Sequence, residues 1–217
     1  EIKKLGEFLC YPSCTREESF ERCHDCEVVI VNKVLVDEKF LESAPQLKLV
    51  CEAGTGINNI DVEACAKKGI IVRNVAGYST DSVAQCAFMH ILNLLGNAFY
   101  YDNFVKSGIY AQGKIHTDPS NPFVESTGKV LGIVGMGAIG QKVASMGKAF
   151  GMEVIYYSTS GTSHCKDYPS VSLNELLEKS DVISIHAPYN EKTAGLIGYE
   201  QFKLMKRNAV LVNTGRG

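Results

Sequence analysis

Two features that would sort a sequence quickly are missing from this one. There is no surplus of charge of one sign: 22 Lys and Arg stand against 24 Asp and Glu, for a net charge of −2. A chain without a basic excess lacks the electrostatic footprint of a nucleic-acid or anionic-membrane binder. Nor is there a long hydrophobic run. The most apolar region, Ala84 to Leu95, is interrupted by Gln85, His90 and Asn93 and is too short to span a bilayer. Nothing resembles a signal peptide, and neither internal repeats nor low-complexity tracts occur. Because the chain opens on Glu1 rather than Met, its natural start is expected further upstream.

What is present fits an ordinary globular protein. With 217 residues, 45% of them hydrophobic, the chain can bury a core as one large domain or two small ones. Its eight cysteines are scattered through strand-like and helix-like segments. Disulfide frameworks belong to small secreted domains, so reduced thiols in a cytoplasmic protein fit better here. Cys10, Cys14, Cys23 and Cys26 fall close enough together for zinc to be weighed. No glycine-rich knuckle accompanies either pair, and thiols without metal are the preferred reading.

Short apolar runs alternate with helical patterns. Glu7–Cys10, Val28–Val31, Leu47–Cys51 and Ile70–Val72 read as strands, with helices over Glu17–Cys23, Asp37–Leu41 and Asp61–Lys68. That alternation predicts βαβ units and a parallel sheet. From Ser79 to Ser107, Val83, Ala87, Ile91, Leu94, Leu95 and Ala98 recur at helical spacing, which predicts one long helix bridging two sheets. Ile109 to Thr127, with Gly113, Pro119 and Pro122, reads as a surface excursion. The alternation then restarts, with strands at Val130–Val134, Glu153–Tyr157, Val182–His186 and Ala209–Asn213. Helices fall at Ala138–Phe150, Ser172–Lys179 and Gln201–Met205. The expected fold is α/β, with two Rossmann-like or flavodoxin-like parallel-sheet domains over residues 1–77 and 78–217, both incomplete.

The most informative stretch is Gly135-Met136-Gly137-Ala138-Ile139-Gly140, which follows an expected strand and opens an expected helix. In that setting a glycine repeat reads as a dinucleotide-binding loop. Gly135 suits a tight turn, Gly137 lets backbone approach a pyrophosphate, and Gly140 allows close helix–strand packing. The next strand leads to Ser158, where an acidic residue usually bonds the adenosine ribose. Without a carboxylate nothing repels a 2′-phosphate, and no adjacent Arg attracts one, so NAD and NADP stay open. A turn of Ser and Thr that touches no ligand is the alternative. His186 ends a strand at the edge where such sheets bind ligands, and packing is preferred to proton donation for its imidazole. Arg216, in Asn213-Thr214-Gly215-Arg216-Gly217, offers a fork of donors matched to a carboxylate or a polarised carbonyl. A solvated arginine is the competing reading.

Several of these segments resemble the D-isomer-specific 2-hydroxyacid dehydrogenase family. Residues 127–140 look like its cofactor fingerprint, and His186–Pro188 with Thr193–Ile197, and Asn213–Gly217, match in order and spacing. So do Glu52–Asp61 and Asn74–Gln85. The resemblance implies hydride transfer between a nicotinamide and a small 2-oxo or 2-hydroxy acid. It implies that Arg216 binds the substrate carboxylate and polarises the 2-oxo group, helped by the backbone at Ala53, Gly54, Thr55 and Gly56. Ala138 and Ile139, together with Gly135, Gly137 and Gly140, would lie under the pyrophosphate, and Ser158 near the ribose. Val75, Ala187, Pro188 and Thr193 would line the rest of the coenzyme, with Thr214, Gly215 and Arg216 beside the nicotinamide. A homodimer is implied as well.

Two departures qualify the match. Ser158 replaces the family's usual Asp, and the family's catalytic histidine and its glutamate partner have no counterpart before Gly217. None of His24, His90, His116, His164 and His186 takes the matching place, although a positioned acid contributes typically ~10²–10⁴-fold to such a reduction. The expected parent is therefore a longer enzyme. The competing reading from the same family is a non-catalytic NAD(H) sensor that acts as a co-repressor.

Overall fold

The structure is a computed structural model and describes residues 1–113, 118–162 and 165–215. The chain divides into two compact units, Glu1–Tyr78 and Ser79–Gly217.

In the first unit β1 (Val28–Val31), β2 (Leu49–Glu52) and β3 (Ile71–Asn74) form a parallel sheet in the order β1-β2-β3. Helix α1 (Arg16–Cys23) leads into β1, and α2 (Glu38–Ser43) and α3 (Val62–Lys67) connect the strands. Each starts where a side chain caps it: Thr15 accepts from the Glu18 N–H in a capping box, Asp37 from Phe40, and Asp61 from Ala64. These bonds satisfy donors that the first helical turn leaves over. Strand alternation then sorts the faces. Val29, Val31 and Val50 pack with Phe40, Leu41 and Cys65 into the core, while Val28, Ile30 and Ile71 stand about half exposed on the other face.

Glu7–Cys10, expected as a strand, is not one. Its residues are all exposed and pair with no sheet strand among the described residues, and an apolar run without a ladder partner has no reason to stay in strand geometry. Cys10 and Cys14 are exposed and Cys23 and Cys26 partly so. Burial, then the neighbouring Cys26 and Cys14 thiols, push the Cys23 thiol up to about 11. Among the described residues no group of three or more His, Cys, Asp or Glu is arranged to hold a metal ion.

In the second unit β4 (Val130–Val134), β5 (Glu153–Tyr157), β6 (Val182–Ile185) and β7 (Val210–Asn213) are parallel, in the order β5-β4-β6-β7. One face buries Leu131 and Ile133 against Ala87, Phe88 and Ile91 of α4 (Thr80–Leu95) and Val143 and Ala144 of α7 (Ala138–Ala149). The other buries Val134 and Ile183 against Leu176 and Leu177 of α8 (Leu173–Lys179). A sheet covered on both faces needs apolar residues at successive positions, which is why Leu131 to Val134 contains no polar side chain.

The long helix expected from Ser79 to Ser107 is two helices. Helix α4 ends at Leu95, Asn97 takes a left-handed conformation with φ of 50°, and α5 (Ala98–Lys106) starts afresh. Asn is one of the few residues that enters that region readily, and its Nδ2 donates to the Pro122 carbonyl at 2.9 Å. Apolar periodicity carried across the corner and hid it. Helix α4 packs into the core of the second unit. The excursion after it opens with a short helix, α6 (Ile109–Gln112), and α9 (Tyr199–Leu204) precedes β7. Among the described residues no helix is long and apolar enough to cross a membrane.

Candidate functional site

The chain leaves β4 at Gly135, whose φ of 94° suits glycine. A Cβ there would lie 2.8 Å from the Ala187 nitrogen and 2.9 Å from the His186 carbonyl carbon. The turn and the end of β6 are therefore in direct backbone contact. Gly135 donates to the Tyr157 carbonyl at 3.0 Å and His186 to the Val134 carbonyl at 2.8 Å, which ties the ends of β5, β4 and β6 together. This is the carboxyl edge. Because β5 and β6 lie on opposite sides of β4, it is also the point where the winding of the sheet reverses, the place where open α/β sheets bind ligands.

Helix α7 begins there without a side-chain cap and without an acidic residue in its first turn. Its leading N–H groups and the positive end of its dipole are therefore answered by no capping side chain and by no carboxylate of the helix's own first turn. The glycines divide the work. A Cβ on Gly140 would lie 2.2 Å from the Gly135 carbonyl oxygen, and one on Gly147 would lie 2.4 Å from Leu131 Cδ2, whereas one on Gly137 would meet nothing within 4 Å. Two glycines let the helix close onto β4, and the third keeps open space above the loop. Ala138 and Ile139 form the first turn beside it.

The flanking loops are built largely from their own hydrogen bonds. Ser158 donates to the Thr162 carbonyl at 2.6 Å and lies 3.1 Å from Ser160 Oγ, so its proton is committed within the loop. Thr193 closes the loop after Pro188: it donates to the Pro188 carbonyl and accepts from the Asn190 N–H at 2.9 Å. Ala187 packs under this loop while Pro188 is exposed. After β7, Gly215 donates to Asn213 Oδ1 at 2.9 Å. Thr214 Oγ1 is buried and has no hydrogen-bond partner among the described residues, an orphan that ordinarily calls for an absent partner. Arg216 lies outside the described residues.

His186 Nε2 lies 2.8 Å from the Oγ of fully buried Ser184. Burial pushes its imidazole down to about 4, so it is neutral at physiological pH and carries no acidic imidazolium proton. The packing role preferred for it agrees with this geometry. Sequence reasoning had no signal for its partner, because Ser184 reads as one more strand position.

In the first unit the loop Ala53–Gly56 leaves β2. Ala53 donates to the Val31 carbonyl at 2.8 Å, Val75 to the Gly54 carbonyl at 3.0 Å, and Thr55 Oγ1 to the Val75 carbonyl at 3.1 Å. Asn74 Nδ2 donates to the Thr55 carbonyl at 2.6 Å. Beneath it, buried Glu52 accepts from Asn59 Nδ2 at 2.9 Å. Asn59 and Asn74, singled out by no spacing rule, fix this loop. Their signal was only that both lie in the segments Glu52–Asp61 and Asn74–Gln85, which match the family in order and spacing.

Together the parallel sheet, the reversal point and the uncapped helix behind a glycine turn define a Rossmann-type dinucleotide-binding module. The chain belongs to the D-isomer specific 2-hydroxyacid dehydrogenases, and residues 88–217 match the NAD binding domain of that family. It is 40% identical over 186 residues to a glyoxylate reductase of Thermococcus litoralis, covering 84% of this chain and 56% of that protein. Among solved structures it superposes on an acyclic imino acid reductase in complex with NADPH and D-Arg, with a TM-score of 0.90 and 31% identity, over 100% of this chain and 69% of that one. It also superposes on D-lactate dehydrogenase of Aquifex aeolicus complexed with NAD and lactic acid, with a TM-score of 0.82 and 34% identity, covering 91% and 59%. The chain thus spans little more than half the length of the archaeal reductase.

Proposed function

We propose that the protein containing this chain is an NAD(P)-dependent oxidoreductase that interconverts small 2-oxo acids and D-2-hydroxy acids. The observation that carries this reading is the uncapped start of α7 at the reversal point of the sheet, with open space at Gly137, in a chain of the 2-hydroxyacid dehydrogenase family. The residues present fit a dinucleotide. Gly135, Gly137, Ala138, Ile139 and Gly140 hold the pyrophosphate, and Ser158 accepts a ribose hydroxyl. Val75, Ala187, Pro188 and Thr193 contact the remaining coenzyme, and Thr214, Gly215 and Arg216 flank the nicotinamide. When bound, the nicotinamide coenzyme supplies the hydride. Arg216 binds the substrate carboxylate and polarises the 2-oxo oxygen, where a guanidinium meets charge that grows in the transition state. The amides of Ala53–Gly56 add donors to the carboxylate. The final proton comes from a group other than His186.

Position 158 has no carboxylate to repel a 2′-phosphate and no adjacent arginine to attract one, so both coenzymes are assayed. The test is loss of NADH and NADPH absorbance with glyoxylate, hydroxypyruvate and pyruvate, using the purified protein and its Arg216→Ala variant. Turnover that falls at least about a hundredfold in the variant, the loss of about 3 kcal/mol of transition-state stabilisation, supports the reading. Tight coenzyme binding without oxidation by any of the three acids overturns the dehydrogenase assignment and leaves a coenzyme sensor.

A further inference from the structure

At the opposite, amino edge of the second unit's sheet lies a cavity of about 420 Å³. It is roughly 20 Å from the glycine loop, counted from Lys129 to Gly135 along β4 at about 3.3 Å per residue. Its floor is the start of β6 and β7, at Asp181 and Val210, and its apolar wall is Leu94, Leu95 and Val124. The walls are fixed. Val124 donates to the Leu95 carbonyl at 2.7 Å, and Asn97 Nδ2 ties the corner after α4 to Pro122.

Three cations, Lys129, Lys206 and Arg207, line this cavity and face one carboxylate. Asp181 is already committed, since Oδ2 accepts from the Val130 N–H at 2.9 Å and Oδ1 from Lys206 Nζ at 2.9 Å. Although burial acts to raise its pKa, those two bonds and the charges of Lys206 and Lys129 leave it below the ordinary value. Neither the Arg207 nor the Lys129 side chain makes a hydrogen bond or ion pair within 4 Å among the described residues. The cavity therefore carries about two positive charges beyond what Asp181 offsets, next to an apolar wall, and its volume is that of a small-molecule site.

We infer that this cavity binds a small organic phosphate, its dianion held by Arg207 and Lys129 and its apolar body laid on Leu94, Leu95 and Val124. Arginine's planar fork suits two phosphate oxygens at once, and the lysine adds a point charge. An anion bound here touches none of the residues assigned to coenzyme or substrate, so this is a second site with its own occupancy.

The experiment titrates phenyl phosphate, inorganic phosphate and benzoate into the purified protein by calorimetry, with NADH saturating so that the glycine loop is filled. Saturable binding of phenyl phosphate is expected, at least tenfold tighter than inorganic phosphate, which lacks the apolar body, and than benzoate, which has one charge. Arg207→Ala and Lys129→Ala should each weaken it at least fivefold, while Arg207→Lys keeps part of it. Both side chains are surface groups, and an unchanged NADH affinity reports that the variants fold. Absence of saturable binding, or binding that both alanine variants retain, overturns the inference. So does phenyl phosphate that competes with NADH, since that places it on the glycine loop.

Discussion

A methyl group added at Gly140 would sit 2.2 Å from the Gly135 carbonyl oxygen and 3.1 Å from Ile133 Cγ2, so Gly140→Ala has to push α7 off β4. Overpacking of this kind costs about 1–3 kcal/mol. At Gly137 the same methyl meets nothing within 4 Å beyond its immediate chain neighbours, and the stability of Gly137→Ala should stay within about 1 kcal/mol of wild type. The two variants therefore separate a glycine kept for packing from one kept for a ligand. Urea unfolding should show the loss in Gly140→Ala only, while NADH titration should weaken at least about tenfold in both. Wild-type affinity in Gly137→Ala would remove the pyrophosphate from this loop. His186 supplies a pH dependence at the same scale. Its imidazole falls from 6.5 to about 4 in the folded protein, so between those values the unfolded chain binds more protons than the folded one. The stability it contributes is complete above pH 6.5 and is lost as the pH falls towards 4, by about 3 kcal/mol in all at 1.36 kcal/mol per pH unit. His186→Gln should flatten that part of the urea-stability profile, and equal slopes in the two proteins would show that the imidazole does not titrate this way.

At the scale of elements, the strands and helices with strong local signals were legible. The caps Thr15, Asp37 and Asp61 mark α1, α2 and α3, and the double-faced burial of β4 shows as an unbroken apolar run. What could not be read is what depends on partners distant in sequence. Glu7–Cys10 has a strand's composition and no ladder, and the corner at Asn97 is held by Pro122, 25 residues away. That corner carries a prediction that reverses ordinary helix propensity. In a continuous helix, alanine at position 97 would be favoured over glycine by about 1 kcal/mol. At φ of 50° alanine is strained by roughly 1–2 kcal/mol and glycine is not. Both replacements lose the bond to the Pro122 carbonyl. Thermal unfolding should therefore rank wild type above Asn97→Gly, and Asn97→Gly above Asn97→Ala. Alanine as the better replacement would mean that α4 and α5 run on as one helix.

For the whole molecule, two parallel sheets and a glycine loop at the reversal point of the second could be read from the order of motifs, because each motif sits where a strand hands over to a helix. The side-chain network that steadies those loops, Ser184 with His186 and Asn74 with Thr55, could not, since each pair joins residues of unremarkable type. The apolar surface of α5 and α6 belongs to the same scale. Phe99 is 71% exposed and Ile109 56%. On the same two helices Tyr100, Tyr101, Phe104 and Tyr110 form a ring cluster with centroids 5.2 to 6.5 Å apart, Tyr100 and Phe104 stacked and the other pairs edge-to-face. This ring cluster is already ordered within one chain, so a partner docking on it loses little side-chain freedom. Exposed apolar patches of this kind mark interaction surfaces, and a self-complementary patch closes most simply as a two-fold dimer. The homodimer is proposed on that ground, with the family resemblance beside it. Light scattering should return the mass of two chains, and Phe99→Asp with Tyr110→Asp, which place charge in the patch without touching either core, should return the mass of one. A wild-type mass of one chain, or a double variant that still pairs, would assign these rings to another partner.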